Sequence, residues 1–160
     1  MCIRKETADI PCHQIDQHGI RPDKRLGETI NSFPTPTSLA NVRSFIGVSG
    51  YYRAFIDRFA ETAAPLSALL RKDVKFFWGE DQDRAFKQLR SQLSSYPVLR
   101  YPDFSRQFFV KTDYSHLAIG AVLTQFDDDN LEQPIAFLSR RCRGKESSYS
   151  ARRGEAVALW

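Results

Sequence analysis

The sequence predicts an α+β fold, in which a small helical unit precedes three antiparallel strands and one helix. Apolar residues recur at helical spacing from Leu39 through the first half of the chain. Pro34 and Pro36 separate that stretch from the residues before it, because two prolines exclude a helix there. Residues 108–139 contain aromatic and β-branched runs divided by a polar turn, a pattern typical of strands.

The composition indicates a globular protein. Hydrophobic residues make up 42% of the 160 residues and charged residues 26%, with a formal net charge of +4. Three cysteines without CxxC spacing are typical of free thiols, so we expect an intracellular, reducing compartment. No apolar run approaches the roughly 20 residues of a membrane span, and we expect no membrane partner. The oligomeric state stays open.

The first 32 residues are polar and weakly patterned. Residues 9–17 are expected to form one short strand, and residues 17–19 form a turn. Arg21, Pro22 and Asp23 then open a short helical stretch that reaches Ile30.

The helical unit begins after the two prolines, where Thr37 or Ser38 is the expected N-cap. Helical spacing continues to Phe59, and Gly50 predicts a bend between two helices. Proline suits the first turn of a helix, so residues 65–70 are expected to form a third.

A further helix is predicted for residues 80–95, where acidic residues in the first turn favour the helix dipole. Residues 97–107 form a linker. Three strands follow, at 108–112, 119–126 and 134–139. Ser147 or Ser148 is expected to cap a last helix that runs to Trp160.

Two carboxylates in this last region predict a metal site. Asp113 ends the first strand and Glu155 lies on the last helix, and a three-stranded meander followed by a helix is typical of the start of a ribonuclease-H-like fold. Paired carboxylates bind Mg²⁺, and two-metal sites cleave phosphodiesters. The alternative is that both acids are ordinary solvated surface residues.

Basic residues also gather in this region. Arg140, Arg141 and Arg143 lie close together in sequence and predict contacts with phosphates. A solvated charged face is the alternative interpretation.

Motifs spread over residues 19–160 occur in the order of a known family. They are GIRPD (19–23), VRSFIG (42–47), YYRAFI (51–56), PVL (97–99), YPDF (101–104), TD (112–113), IGAVL (119–123) and PIA (134–136). Together they resemble the reverse transcriptase of long-terminal-repeat retrotransposons of the Ty3/gypsy type, which is part of a Pol polyprotein.

The resemblance implies four parts. They are the end of a polymerase palm (1–32), a helical thumb (33–75), a tether helix and linker (76–107), and the N-terminal half of a ribonuclease-H-like domain, truncated (108–160). The implied parent activity is RNA-directed DNA synthesis with cleavage of RNA in RNA–DNA hybrids. Asp113 and Glu155 would be catalytic and would bind Mg²⁺, and the partner would be RNA–DNA hybrid or duplex nucleic acid.

The resemblance also implies nucleic-acid contacts by the thumb residues Tyr51, Tyr52, Arg53 and Arg58. Helical spacing favours a core position for one of the two tyrosines.

The chain also departs from the family. The Tyr-x-Asp-Asp motif of the polymerase does not occur, and only two of four expected carboxylates are present. Tyr114 stands where the family usually has a small residue, and Cys12 where it usually has glycine. We therefore expect a fragment that is inactive by itself, with Mg²⁺ binding weak or absent. A non-catalytic module that binds nucleic acid or a partner, or a remnant without function, is the alternative.

Overall fold

The computed structural model describes residues 8–10, 13–23, 29–95 and 97–158. Two three-stranded antiparallel sheets flank a group of helices. The elements are β1 (Ala8–Ile10), β2 (His13–Asp16), β3 (Gly19–Pro22), α1 (Leu39–Tyr51), α2 (Phe59–Thr62), α3 (Ala64–Leu69), α4 (Glu80–Ser94), β4 (Phe109–Tyr114), β5 (Ala118–Phe126), β6 (Glu132–Arg141) and α5 (Ala151–Ala158). The predicted α+β class, with three antiparallel strands and a helix in the second half, is confirmed.

The N-terminal sheet corrects two predictions. Residues 9–17 contain parts of two strands instead of one, and Arg21 and Pro22 belong to β3 instead of a helix. The predicted turn is present at Gln17 and His18, where the His18 N–H donates to the Asp16 carboxylate at 2.8 Å. It leads back into a strand that pairs with β2, instead of into a helix. The rest of the predicted helical stretch includes residues 24–28, which lie outside the described ranges, as does Cys12.

Helix α1 begins as predicted. Ser38 is its N-cap, and the side-chain oxygen accepts from the Asn41 N–H. The predicted break near Gly50 is found one residue later, where α1 ends at Tyr51, but the α-helix expected directly after it is wrong. The chain then forms a 3₁₀ turn, Arg53–Phe55, and Arg58 adopts the left-handed conformation with φ of 51°. A left-handed residue cannot continue a right-handed helix, so a separate helix starts at Phe59.

The main core lies inside the helical unit. Phe45 and Phe86 are fully buried, and their ring centroids are 4.6 Å apart. Their fully buried neighbours include Ile30, Val42, Leu66, Leu89 and Leu93. Phe137 of β6 packs against this cluster, so the second sheet is docked on the helical unit by an apolar contact.

The linker ties the two sheets together. Leu99 and Ile20 exchange backbone hydrogen bonds of 2.8 and 2.9 Å, so the linker lies beside β3. The next residue, Arg100, donates its N–H to the Pro134 carbonyl of β6 at 2.9 Å. None of the helices in the described ranges has the length and apolarity to span a bilayer.

The second sheet has the order β4–β5–β6. The three strands are one to four residues longer than predicted, although β4 begins one residue later, at Phe109, and β5 ends at Phe126 as expected. The predicted cap at Ser147 or Ser148 is wrong, because Gly144–Ser148 form a 3₁₀ turn and α5 starts at Ala151. Tyr149, with ψ of 148°, separates the two.

Candidate functional site

Asp113 lies on the side of the second sheet that faces the helical unit. In the strand register it is aligned with Gly120 of β5, which in turn is aligned with Ser139 of β6. The helical unit comes close here, because the Ala60 N–H donates to Ser139 Oγ at 3.0 Å. The Asp113 carboxylate forms an ion pair with the Arg58 guanidinium, and its side chain is 45% exposed. The sheet therefore presents the predicted catalytic acid to a thumb arginine.

Arg58 reaches Asp113 from a fixed backbone. Its carbonyl accepts hydrogen bonds from the N–H groups of Glu61 and Thr62, at 3.0 and 3.1 Å. Its side chain passes over Gly120, where a Cβ would lie 3.7 Å from Arg58 Cγ. A guanidinium nitrogen also lies 3.8 Å from the Glu61 carboxylate. Arg58, predicted as a phosphate contact, is thus placed between two carboxylates.

Glu155 is exposed on α5, and in the described ranges its carboxylate has no hydrogen bond or ion pair. Helix α5 packs on β4 at Gly154, where a Cβ would lie only 2.1 Å from Tyr114 Cδ1. Neighbouring strand residues point to opposite faces, so Asp113 points away from the face on which Tyr114 meets α5. Strand β4 and helix α5 are therefore in contact, while the ion-pair partner of Asp113 is Arg58.

Tyr114 anchors the start of this helical region. Its hydroxyl donates to the Glu146 carbonyl at 2.5 Å. Burial is the main cause of the raised pKa of Tyr114. The ring occupies the space that a side chain at position 154 would need, so glycine there is a requirement of packing.

We expect Gly154→Ala to lower the free energy of unfolding by about 1–3 kcal/mol, because the methyl group overlaps the Tyr114 ring. In a Tyr114→Ala background the same change should be neutral or should stabilise α5 by up to about 1 kcal/mol, the helix preference of alanine over glycine. Urea unfolding of the four proteins in this double-mutant cycle measures the difference. An equal effect of Gly154→Ala in both backgrounds would contradict the contact.

The carboxylates do not form a two-metal site in this structure. Oxygen ligands suit Mg²⁺, but the described residues contain no group of three or more His, Cys, Asp or Glu side chains suited to a metal ion. Asp113 already has a cationic partner in Arg58. Asp113 and Glu155 therefore do not fit a site for two metal ions.

Helix α1 carries an exposed stripe that could face nucleic acid. Tyr51 is 58% exposed, and Arg43 and Gly47 precede it on the same face at intervals of four residues. The sequence interpretation did not include Arg43 among the contacts, although its spacing from Tyr51 was the available signal. Arg53 is also exposed, just after the helix.

Tyr52 lies in the core, with 6% of its surface exposed. Its ring centroid is 5.6 Å from His13 and 4.9 Å from Tyr51. Burial thus supports a core position for Tyr52. Its ring packs against Tyr51 and does not present a face to a base.

The predicted basic cluster is partly neutralised. Arg140 donates to both carboxylate oxygens of Glu146, at 2.7 and 2.9 Å. These hydrogen bonds, together with one from the Arg143 N–H, lower the pKa of Glu146 to about 2. Arg141 and Arg143 have no ion pair with any residue that the structure describes. They remain the members of the cluster that phosphates could reach.

Comparison with known proteins identifies one family and several relatives that match most or about half of this chain. Residues 78–160 match the family described as the RNase H-like domain found in reverse transcriptase. The Pol polyprotein from transposon 412 of Drosophila melanogaster is 37% identical over 147 residues, which are 92% of this chain and 12% of the polyprotein. That from transposon 297 of the same species is 36% identical, over 97% of this chain and 14% of the polyprotein. The chain thus spans about one eighth of these relatives.

A third polyprotein and a group of solved structures are also similar to this chain. The Tf2-3 polyprotein of Schizosaccharomyces pombe is 32% identical over 92% of this chain and 11% of that protein. Solved structures of a foamy viral protease–reverse transcriptase superpose on 96% of the chain at 19% identity. The TM-score is 0.76 for the complex with RNA/DNA hybrid, where 21% of that chain is covered, and 0.78 for a complex with dsDNA, where 32% is covered.

Proposed function

Because the chain belongs to the family of RNase H-like domains found in reverse transcriptase, we propose that it serves as the thumb-to-ribonuclease-H segment of a retrotransposon Pol polyprotein and holds nucleic acid without cleaving it. The parts are those expected from the sequence: palm end at 1–32, thumb at 33–75, tether at 76–107 and ribonuclease-H-like half domain at 108–160. The parent activity is RNA-directed DNA synthesis with cleavage of RNA in hybrids.

The exposed stripe on α1 is the observation that carries this proposal. Arg43 supplies a positive charge and Tyr51 supplies an exposed aromatic ring. Between them, the surface at Gly47 is open, since a Cβ placed there would have no atom within 4 Å. Positive charge binds phosphates without regard to sequence, and an exposed ring adds contacts to bases or sugars. A foamy viral enzyme of the same fold was solved with RNA/DNA hybrid, which supports hybrid as the partner.

The pairing of Asp113 with Arg58 favours binding over chemistry in this chain. In the parent enzyme, Asp113 and Glu155 are proposed to supply two of the ligands for Mg²⁺, which would polarise the scissile phosphate. In this chain the first of these ligands is engaged by Arg58. We therefore propose weak binding of Mg²⁺ and no hydrolysis by the chain by itself.

The chain should bind a 20-base-pair RNA–DNA hybrid weakly and with a steep dependence on salt. Tyr51→Ala should weaken binding by about 1 kcal/mol, because the contact area of the exposed ring along the minor groove of the hybrid is lost. Arg43→Gln should reduce the slope of log K against log salt by about 0.9, because one fewer phosphate is neutralised. Fluorescence anisotropy at several salt concentrations measures both effects.

Arg84→Gln is the matched control for these two variants, because Arg84 is 73% exposed and lies on α4, whereas the stripe lies on α1. It should leave affinity and salt slope unchanged. Binding that ignores salt, or that survives both Tyr51→Ala and Arg43→Gln at full strength, would refute the proposed role of the stripe.

A further inference from the structure

His13 of the N-terminal sheet lies against the exposed tyrosine of the α1 stripe. The centroids of the His13 and Tyr51 rings are 5.5 Å apart, and the angle between the ring planes is 41°. We propose that His13 is a positioning residue, which holds the Tyr51 ring in the orientation that contacts the minor groove of a bound hybrid. This inference rests on the proposed role of the stripe, and it adds the N-terminal sheet to the nucleic-acid site.

The backbone of His13 is held by strand pairing on both sides. Strand β2 is the central strand of its sheet, and His13 is aligned with Ile10 of β1 and with Pro22 of β3. A central strand is paired along both of its edges, so its residues have little freedom to move relative to the sheet. The imidazole is therefore attached to a fixed part of the N-terminal sheet.

Two buried rings of the helical unit fix the imidazole itself. The Phe55 ring centroid lies 5.8 Å from that of His13, with an angle of 30° between the planes, and the Tyr52 centroid lies 5.6 Å away. Both of these residues are buried in the core. Aromatic rings whose centroids are about 4.5–7 Å apart attract each other beyond the gain from burial. His13 thus connects two core rings with one ring at the surface.

Tyr51 is restrained by these contacts and is still open to a ligand. It is the last residue of α1, so no further turn of the helix follows to restrain its side chain. The Tyr52 ring meets it edge-on, at a centroid distance of 4.9 Å and an angle of 79°, and His13 supplies the other ring contact. More than half of the Tyr51 side chain remains exposed. The exposed part of the ring is the part that can contact sugars in the minor groove.

A restrained ring loses less conformational freedom on binding than a mobile ring does. Ordering one side chain at an interface reduces affinity on the order of two- to tenfold. Tyrosine has only two side-chain torsions, so the lower part of this range applies to it. We therefore expect the loss of the His13 ring to weaken hybrid binding about threefold.

The test measures the dissociation constant for an RNA–DNA hybrid by fluorescence anisotropy. His13→Ala should raise this constant about threefold, whereas His13→Phe keeps a flat ring and should stay near the wild-type value. His13→Leu fills much of the space without a ring and should weaken binding as His13→Ala does. Gln14→Ala is the matched control, because neighbouring strand residues point to opposite faces of the sheet. Thermal melts verify that each variant is folded.

The effect of His13 must depend on Tyr51. In the Tyr51→Ala protein, the further change His13→Ala should leave the dissociation constant unchanged. If Tyr51→Ala weakens binding but His13→Ala does not, or if His13→Ala costs the same in both backgrounds, this inference is wrong and the role of the stripe stands. If Tyr51→Ala has no effect, the role of the stripe is refuted, and this inference with it.

A second measurement requires no nucleic acid. Meta-fluorotyrosine placed at position 51 gives a fluorine NMR resonance, which neighbouring rings should displace from its position in the urea-unfolded chain. His13→Ala should move the resonance toward the unfolded position, and Gln14→Ala should leave it in place. An unchanged resonance in the His13→Ala protein would show that His13 does not contact Tyr51, and it would overturn the inference whatever the affinity for hybrid.

Discussion

Asp113→Asn should abolish cleavage of RNA in a hybrid by a protein that joins this chain to the segment that follows the matched region in the Pol polyprotein from transposon 412. Asparagine keeps the size of the side chain and removes the charge that a metal ion needs. The loss should be at least about 100-fold, because even residues that only orient metal ligands change affinity or activity by 10–100-fold. Glu155→Gln should reduce cleavage by a similar factor. Gel analysis of an end-labelled RNA strand measures the rates.

Asp129→Asn is the control for this experiment, since Asp129 is an exposed acid in the turn between β5 and β6. It should cleave at the rate of the unchanged fusion. A fusion that cleaves hybrid and tolerates both Asp113→Asn and Glu155→Gln would show that the proposed site is on the wrong residues.

Phe86→Ala should lower the free energy of unfolding by about 3–5 kcal/mol, the cost of removing a fully buried aromatic ring and leaving a cavity. Phe86 contacts Phe45 and lies 5.9 Å from the Trp78 ring, so the change removes contacts between α1, α4 and the segment before α4. Such a loss is a large part of the stability of a small domain. Urea unfolding, followed by tryptophan fluorescence, measures it.

Phe77→Ala is the matched control, because Phe77 is 72% exposed one position before Trp78. It should change the free energy of unfolding by less than about 0.5 kcal/mol. Similar losses for the two variants would mean that the core does not lie where the structure places it.

The sequence was informative where apolar residues had a regular period. The start of α1 at Leu39 and nearly the whole of α4 followed from spacing and from an N-cap at Ser38. The N-terminal strands were harder to predict, because they are three or four residues long and mostly polar, although the turn between β2 and β3 was expected.

The site residues were predictable by resemblance, but their surroundings were not. The burial of Tyr52 and the exposure of Tyr51 depend on how α1 packs against the core. Contact between Arg58 and Asp113 depends on the docking of the sheet and on a left-handed residue, neither of which has a periodic signal. The sequence did not predict this tertiary contact, which gives Asp113 a cationic side-chain partner in place of a metal ion.

The close packing of Tyr114 on Gly154 restricts the order in which these two positions could change during evolution. The ring of Tyr114 leaves no room for any side chain at position 154, whereas a small residue at 114 would leave that space open. A lineage that acquired tyrosine first, with a larger residue still at 154, would have passed through a protein with a displaced helix. A path to this pair that keeps the helix in place therefore has glycine at 154 before the tyrosine or together with it, and no side chain can enter position 154 while the tyrosine stays.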